Sequence, residues 1–270
     1  MATINLIDGD VLCYLACYER YRGVHADANA FNENDAVKNA VMVGETDVKF
    51  MEQAWENFQK ELTALQELTF SEHFLMSVKG PNNFRDILYP DYKKQRKPNV
   101  KESAIAPFVQ GVRDLAVMTG LAIPSDGRET DDYLRIWRNE TVAAGDDCII
   151  SSIDKDLLII PGVHFNIKKR EFTEVTQVEA WRNLYEQILK GDSTDNIPGL
   201  PGIGPVKAKS LLAGCKTEKE MQEVVCVEYF TMYGPDQFKD YLLSNGKLLY
   251  LQQHCSDFFQ VSHWDFFNIF

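Results

Sequence analysis

Eight acidic side chains fall in four short runs whose spacing suits chemistry. Asp8 closes the apolar run INLIDGD; Glu129, Asp131 and Asp132 lie in GRETDDYL; Asp154 and Asp156 in ISSIDKDLL; and Asp192 and Asp195 in GDSTDN. Each alone can be read as a helix N-cap or as a charge at the positive end of a helix dipole. Together they ask for more. At least three of the runs fall at one edge of an expected sheet, and stacked carboxylates repel unless cations offset them. Oxygen donors without nearby His or Cys point to Mg²⁺ or Mn²⁺ and not to zinc. Two such ions about 3.5–4 Å apart suit in-line attack on a phosphodiester: one lowers the pKa of a bound water, the other stabilises the leaving oxygen.

A second motif offers phosphate a backbone cradle. The run GDSTDNIPGLPGIGPVKAKSLL, from Gly191, sets Gly202-Ile203-Gly204 ahead of Pro205, the small Ala208 and the pair Leu211-Leu212. Two glycines around one apolar residue permit a tight hairpin between helices, and free N–H groups at the next helix N-terminus can hold a phosphate. Pro205 suits the first helical position, and Lys207 and Lys209 add charge. The pattern is a helix-hairpin-helix signature, which grips a duplex backbone without reading sequence; the plainer reading is a Gly/Pro turn between helices.

The elements that must position these residues are those of an α/β protein. The chain has 270 residues, 45% hydrophobic and 25% charged, which excludes disorder, collagen and coiled coil and fits one large domain or a core with an appendage. Strands are expected at Thr3–Asp8, His73–Val78, Leu121–Ile123 and Cys148–Ile153. Helices are expected at Val11–Tyr21, Asp47–Leu68, Glu102–Met118 and Thr130–Val142. Such alternation, with near-continuous apolar strands, predicts a mainly parallel sheet flanked by helices. Residues 23–45 read as a loop or insertion and 80–98 as an exposed loop. The expected organisation is a core over 1–176, with an arch at about 80–118, and a helical region over 177–270 carrying the hairpin at about 191–213. In open parallel sheets, ligands bind beyond the carboxyl ends of the strands, where the acids fall.

Charge is uneven. The net −12 taken alone argues against a nucleic-acid partner, yet residues 1–72 hold thirteen acids and five bases whereas 79–101 hold seven bases and two acids.

Four segments, in order, resemble the 5′-nuclease superfamily of flap endonucleases, the polymerase I 5′-nuclease domain and bacteriophage 5′ to 3′ exonucleases: LIDGD, FRDILYPDYKKQR, GRETDDYL, and SSIDKDLLII with GDSTDNIPGLPGIG. The resemblance covers about residues 3–213 and looks closest to the phage exonucleases. It implies that Asp8, Glu129, Asp131 and Asp132 ligate a first metal, and that Asp154, Asp156, Asp192 and Asp195 form or support a second. It implies that Lys93 and Arg96 approach the scissile phosphate, with Lys94 beside them, and that Arg85 contacts phosphate or supports the loop; a solvated loop is the plainer alternative for these bases. It implies potassium at the hairpin, DNA with a 5′ end or flap as partner, and a strand-threading arch near residues 93–118. One departure stands out: Ser77-Val78-Lys79-Gly80 takes the place where the family often has an Asp.

Two rivals compete. Asp8-Gly9-Asp10-Val11 and Gly191–Asp195 match haloacid-dehalogenase phosphatase motifs, but Gly191 follows a helical pattern where a strand is required. A DNA-binding protein of the same fold that has lost catalysis is the other. Six scattered cysteines suggest reduced, buried thiols, and the lack of a membrane span or leader suggests a soluble cytoplasmic protein, in the host cytoplasm if phage-encoded. The acidic helices before residue 72 and the aromatic tail DFFQVSHWDFFNIF carry no assignable motif.

Overall fold

The computed structural model describes residues 2–25, 45–96, 100–262 and 264. Most of the 23–45 stretch, residues 97–99 of the expected loop and arch, and half of the aromatic tail lie outside them. The strands are β1 (Thr3–Asp8), β2 (His73–Val78), β3 (Ile123–Pro124), β4 (Asp147–Ser152), β5 (Gly162–Asn166) and β6 (Glu171–Val175). They form one sheet in the order β3-β2-β1-β4-β5-β6, parallel except for β6 on the edge. A second small ribbon pairs β7 (Gly191–Asp192) with β8 (Ile197–Pro198).

The described helices are α1 (Gly9–His25), α2 (Glu45–Thr69), α3 (Phe84–Leu88), α4 (Val100–Met118), α5 (Thr130–Ala143), α6 (Gln177–Lys190), α7 (Pro205–Leu212) and α8 (Glu218–Leu249), the last broken at Gly234-Pro235. Their bounds differ from the expected ones by a residue or two in the core. Larger differences are the extension of α1 past Tyr21 and the short α3, which the loop-like composition hid. The edge hairpin β5–β6 was also unforeseen: EFTEV is exposed on every residue but the last, so it carries no buried alternation to read.

Strand β1 explains the layering. Successive side chains point to opposite faces, so Leu6 joins one core and Ile7 the other, both fully buried. Ile7 packs with Leu12 and Cys13 of α1, Phe58 of α2 and Val112 of α4. Leu6 packs with Ile150 of β4, Leu134 of α5, Ile188 of α6 and Leu242 of α8. The helical region after 177 therefore shares its core with the sheet. The order of strand addition reverses at β1, which lies between β2 and β4 and runs parallel to both, and this switch point is where an open sheet leaves a crevice at its carboxyl edge. All six cysteines are free; Cys255 is exposed, against the expectation that the thiols are buried.

Candidate active site

A cleft of about 1310 Å³ opens at that edge. Asp8 leaves β1 there and Asp154 follows β4, while Glu129 and Asp131 stand at the start of α5. Asp156, Asp192 and Asp195 line the same cleft, so the structure brings together seven of the eight acids named from the sequence. Local chemistry fixes them. Ser152 donates to Asp8 Oδ2 at 2.7 Å and receives the Asp154 N–H at 3.0 Å. Gln187 donates to Asp156 Oδ1 at 2.6 Å. Asp192 accepts the Thr194 N–H at 2.7 Å, an Asx-type turn that aims Asp195 back at the cleft.

Asp132, expected among the ligands of the first metal, is the exception and does not line the cleft. It is fully buried and forms a bidentate pair with Arg85, at 2.6 and 3.0 Å. It also accepts the N–H groups of Glu129 and Gln252, both at 3.0 Å. Arg85 also donates to Leu248 O and Tyr250 O, at 2.9 and 2.8 Å. Its place is support, since neither Arg85 nor Asp132 lines the cleft. What turns Asp132 inward is its partners: Arg85 and the N–H groups of Glu129 and Gln252 hold both of its oxygens, while its neighbours Thr130 and Asp131 line the cleft.

Lys93 and Arg96 fold in over the acids. Lys93 Nζ pairs with Glu129 Oε1 and lies 3.6 Å from Asp195 Oδ2, and Arg96 pairs with Asp195 Oδ1. Their loop is pinned by backbone: the Lys93 N–H donates to Asp195 O at 2.9 Å, and Lys93 adopts φ 56. Lys94 points outward to Asp91 at 3.1 Å, both exposed.

Sequence reasoning missed four residues. The buried Tyr92 places its hydroxyl 2.9 Å from Glu129 Oε2 and 3.1 Å from Asp195 Oδ2, spanning two of the acid groups. Asn83 caps α3 and donates to Glu129 Oε1 at 3.0 Å. Asp10 and Arg113 line the cleft as an ion pair at 2.7 Å. Asp10 had a signal, the second acid of DGD. It also accepts the Lys79 N–H at 3.1 Å, which sets a carboxylate at the end of β2. Ser77, opposite Asp8 in register, is fully buried with no hydrogen-bond partner for its hydroxyl among the described residues.

Burial and mutual repulsion raise three of the cleft acids. Burial and then Asp10 push the Asp8 carboxyl up to about 7. Asp131 keeps some surface open, yet its dense surroundings, then Asp8 and Asp154, hold it well above the ordinary carboxylate range. Burial and Asp154 lift Asp156 to about 6. Among the described residues no three acid, imidazole or thiol groups close into a coordination shell. The donor set nevertheless fits hard divalent cations: every cleft acid offers oxygen, no His or Cys lines the cleft, and Asp8 and Asp131 have no cationic side chain bonded to them.

The hairpin lies at the cleft margin, where Pro205 joins the lining. Gly202 takes φ 78 and Gly204 caps α7 with no side chain, leaving the first N–H groups of that helix to a ligand. Ile203 and Ala208 are buried beneath, and Lys207 and Lys209 stand exposed. Gly191 and Gly199 let the ribbon close behind it: a Cβ on Gly191 would meet Gly199 N at 2.2 Å, and one on Gly199 would meet Lys190 C at 2.0 Å.

Clustered acids facing Lys93 and Arg96 at the carboxyl edge of a parallel sheet have the composition that phosphoester hydrolysis requires. No protein-family profile matches the chain. It is 34% identical over 139 residues to DNA polymerase I of Rhizobium leguminosarum, a match spanning 48% of this chain and 14% of that protein. It is 32% identical over 186 residues to flap endonuclease Xni of Shewanella baltica, spanning 64% of this chain and 68% of that one. The Shewanella oneidensis Xni gives 31% over 179 residues, 62% and 67%. Among solved structures, T5 5′-exonuclease with divalent metal ions (zinc) bound aligns at TM-score 0.57 and 16% identity, covering 92% of this chain and 86% of that one. The bacteriophage T5 flap endonuclease complex with DNA and metal ions aligns at 0.54 and 14%, covering 92% and 95%; at such identity these two show the shared fold. The chain belongs to the 5′-nuclease superfamily, a family of phosphodiester hydrolases.

Proposed function

We propose that the chain is a divalent-metal-dependent 5′ to 3′ exonuclease with structure-specific flap endonuclease activity, hydrolysing phosphodiester bonds at or near DNA 5′ ends during replication or degradation. One observation carries this reading: all four acid runs meet in one cleft, and Lys93 and Arg96 fold over two of them. Asp8, Glu129 and Asp131 would hold one Mg²⁺ or Mn²⁺, and Asp154, Asp156, Asp192 and Asp195 would form or support a second site. When bound, the two ions supply a water of lowered pKa and offset charge on the leaving 3′ oxygen.

The chain's own residues do the rest. Lys93 and Arg96 orient the terminal phosphate, as point charge and planar fork respectively, with Lys94 available to the approaching strand. Tyr92 holds Glu129 and Asp195 together. Gly202, Ile203 and Gly204 present the α7 N-terminus to duplex phosphate, Lys207 and Lys209 add charge, and potassium is the cation expected at that hairpin. Segment 93–118 would form the arch around a single strand. Among the described residues no helix is long and apolar enough to cross a membrane, and we place the protein in the cytoplasm, the host's if phage-encoded. The phosphatase alternative finds no support, because Gly191 follows α6 and no core strand leads into it.

A 5′-labelled flap duplex incubated with Mg²⁺ or Mn²⁺ tests the proposal. A released flap indicates the endonuclease and mononucleotides the exonuclease. Uncut DNA in both metals would reject catalysis and leave the DNA-binding alternative.

A further inference from the structure

Beside the acid cleft lies a second hollow of about 700 Å³, between the C-terminal half of α4 and the ends of β2 and β3. Lys79, Gly80, Pro81 and Arg113 line both spaces, so the hollow opens on the cleft. Its apolar lining is Val78, Val117, Met118 and Pro124, and Gln110, bonded to the carboxylate of Asp114, stands with Arg113 on the α4 side. Met118 is 81% exposed, with its thioether available to a flat partner. Arg113 stands at the divide. Asp10 holds its guanidinium by the Nε edge at 2.7 Å, and Gln110 Oε1 reaches Nη1 only at 3.5 Å. A cation at the mouth and an apolar wall within complement a nucleotide, whose phosphate is anionic and whose base has two apolar faces. Size agrees, since small-ligand sites commonly run about 300–1,000 Å³.

We propose that this groove seats an unpaired nucleotide of the strand being cut, its base against Met118 and Val117 and its phosphate on Arg113. The inference rests on the nuclease reading. Continuity with the cleft and the charge at the divide select a DNA strand as the occupant. Arg113 would then recognise single-stranded extension beyond the scissile bond, and affinity for a flap would depend on its bases as well as its phosphates.

The test is equilibrium binding with Ca²⁺ in place of Mg²⁺ to keep substrate intact, using a 5′-flap duplex, the same flap with abasic nucleotides, and a blunt duplex. Met118→Ser, at an exposed site that should not disturb folding, is expected to weaken the intact flap about three- to tenfold and leave the other two DNAs unchanged. Arg113→Gln, checked for folding by its melting temperature, is expected to weaken both flaps and spare the blunt duplex. Equal affinity of Met118→Ser for all three DNAs relative to wild type, or an equal loss on all three, would overturn the groove. Wild-type protein that binds and cuts flap DNA while the groove variants change nothing leaves the nuclease reading standing and removes only this proposal. Wild-type protein that neither binds nor cuts any of the three removes both.

Discussion

Asp131 and Asp132 are neighbours in one motif, yet they belong to two opposed regions. Around Asp132 the charge is balanced: Arg85 takes both oxygens, two backbone N–H groups complete the shell, and the pair ties α3, α5 and the end of α8 into one buried knot. Around Asp131 it is not: burial, Asp8 and Asp154 raise its carboxyl, Lys93 offsets them only in part, and among the described residues no cationic side chain is bonded to it. Balanced buried charge locks architecture, whereas unbalanced charge at a cleft is strain held for a ligand.

The comparison can be broken at either end. The largest effect is expected from Asp131→Asn, which should lower cleavage of a 5′-flap duplex roughly 10⁴-fold, about 5.5 kcal/mol of barrier, with DNA binding retained or strengthened. Activity within tenfold of wild type would remove Asp131 from the site. The same variant has a stability signature. Because Asp131 titrates in the fold above its ordinary value of 3.8, the native state keeps a proton that the unfolded chain has released, so its contribution to stability falls as pH rises through that window. Metal-free Asp131→Asn should therefore be more stable than wild type at pH 8, with the difference vanishing toward pH 3. Urea melts at the two pH values decide this.

Arg85→Met attacks the balanced side and should cost about 3–5 kcal/mol in urea unfolding, because Asp132 is left buried and unpaired. A loss below about 1 kcal/mol would mean that water reaches the knot. Tyr92→Phe acts where the regions touch and should cost about 1.5 kcal/mol, the worth of a hydrogen bond to a charged acceptor. An unchanged denaturation midpoint would show that Lys93 and Arg96 hold Glu129 and Asp195 without it. The smallest effect is expected from Lys207→Ala: duplex affinity should fall about three- to tenfold, with the slope of log affinity against log salt shallower by about one and no change in sequence preference. An unaltered slope would take the hairpin out of DNA binding.

Much of this contrast could be read from residue order. Apolar β1 and β4 ending in acids placed the cleft, and the core strand β2 was legible to the residue because HFLMSV is bounded by polar turns. The division between Asp131 and Asp132 was not available from spacing, since the neighbours Thr130 and Asp131 both line the cleft and only the tertiary contact with Arg85 draws Asp132 away. Arg85 could not be seen as a buried residue, because its partners Leu248, Tyr250 and Asp132 are brought to it only by tertiary packing across as many as 165 positions. Tyr92 was hidden in the same way, as an aromatic inside a basic run. Strand β6 failed for the opposite reason, being exposed on an edge with nothing to bury.

The close contact of Gly191 with Gly199 ties the end of α6, the turn bearing Asp192 and Asp195, and the chain leading to the α7 hairpin into one piece of backbone. In the proposed reading that piece is a ruler. The span from where duplex is gripped to where the strand is broken is set by main chain at fixed length, with no flexible side chain in between. The position of the cut, counted in nucleotides from the junction, then becomes a property of two residues that have no side chain at all.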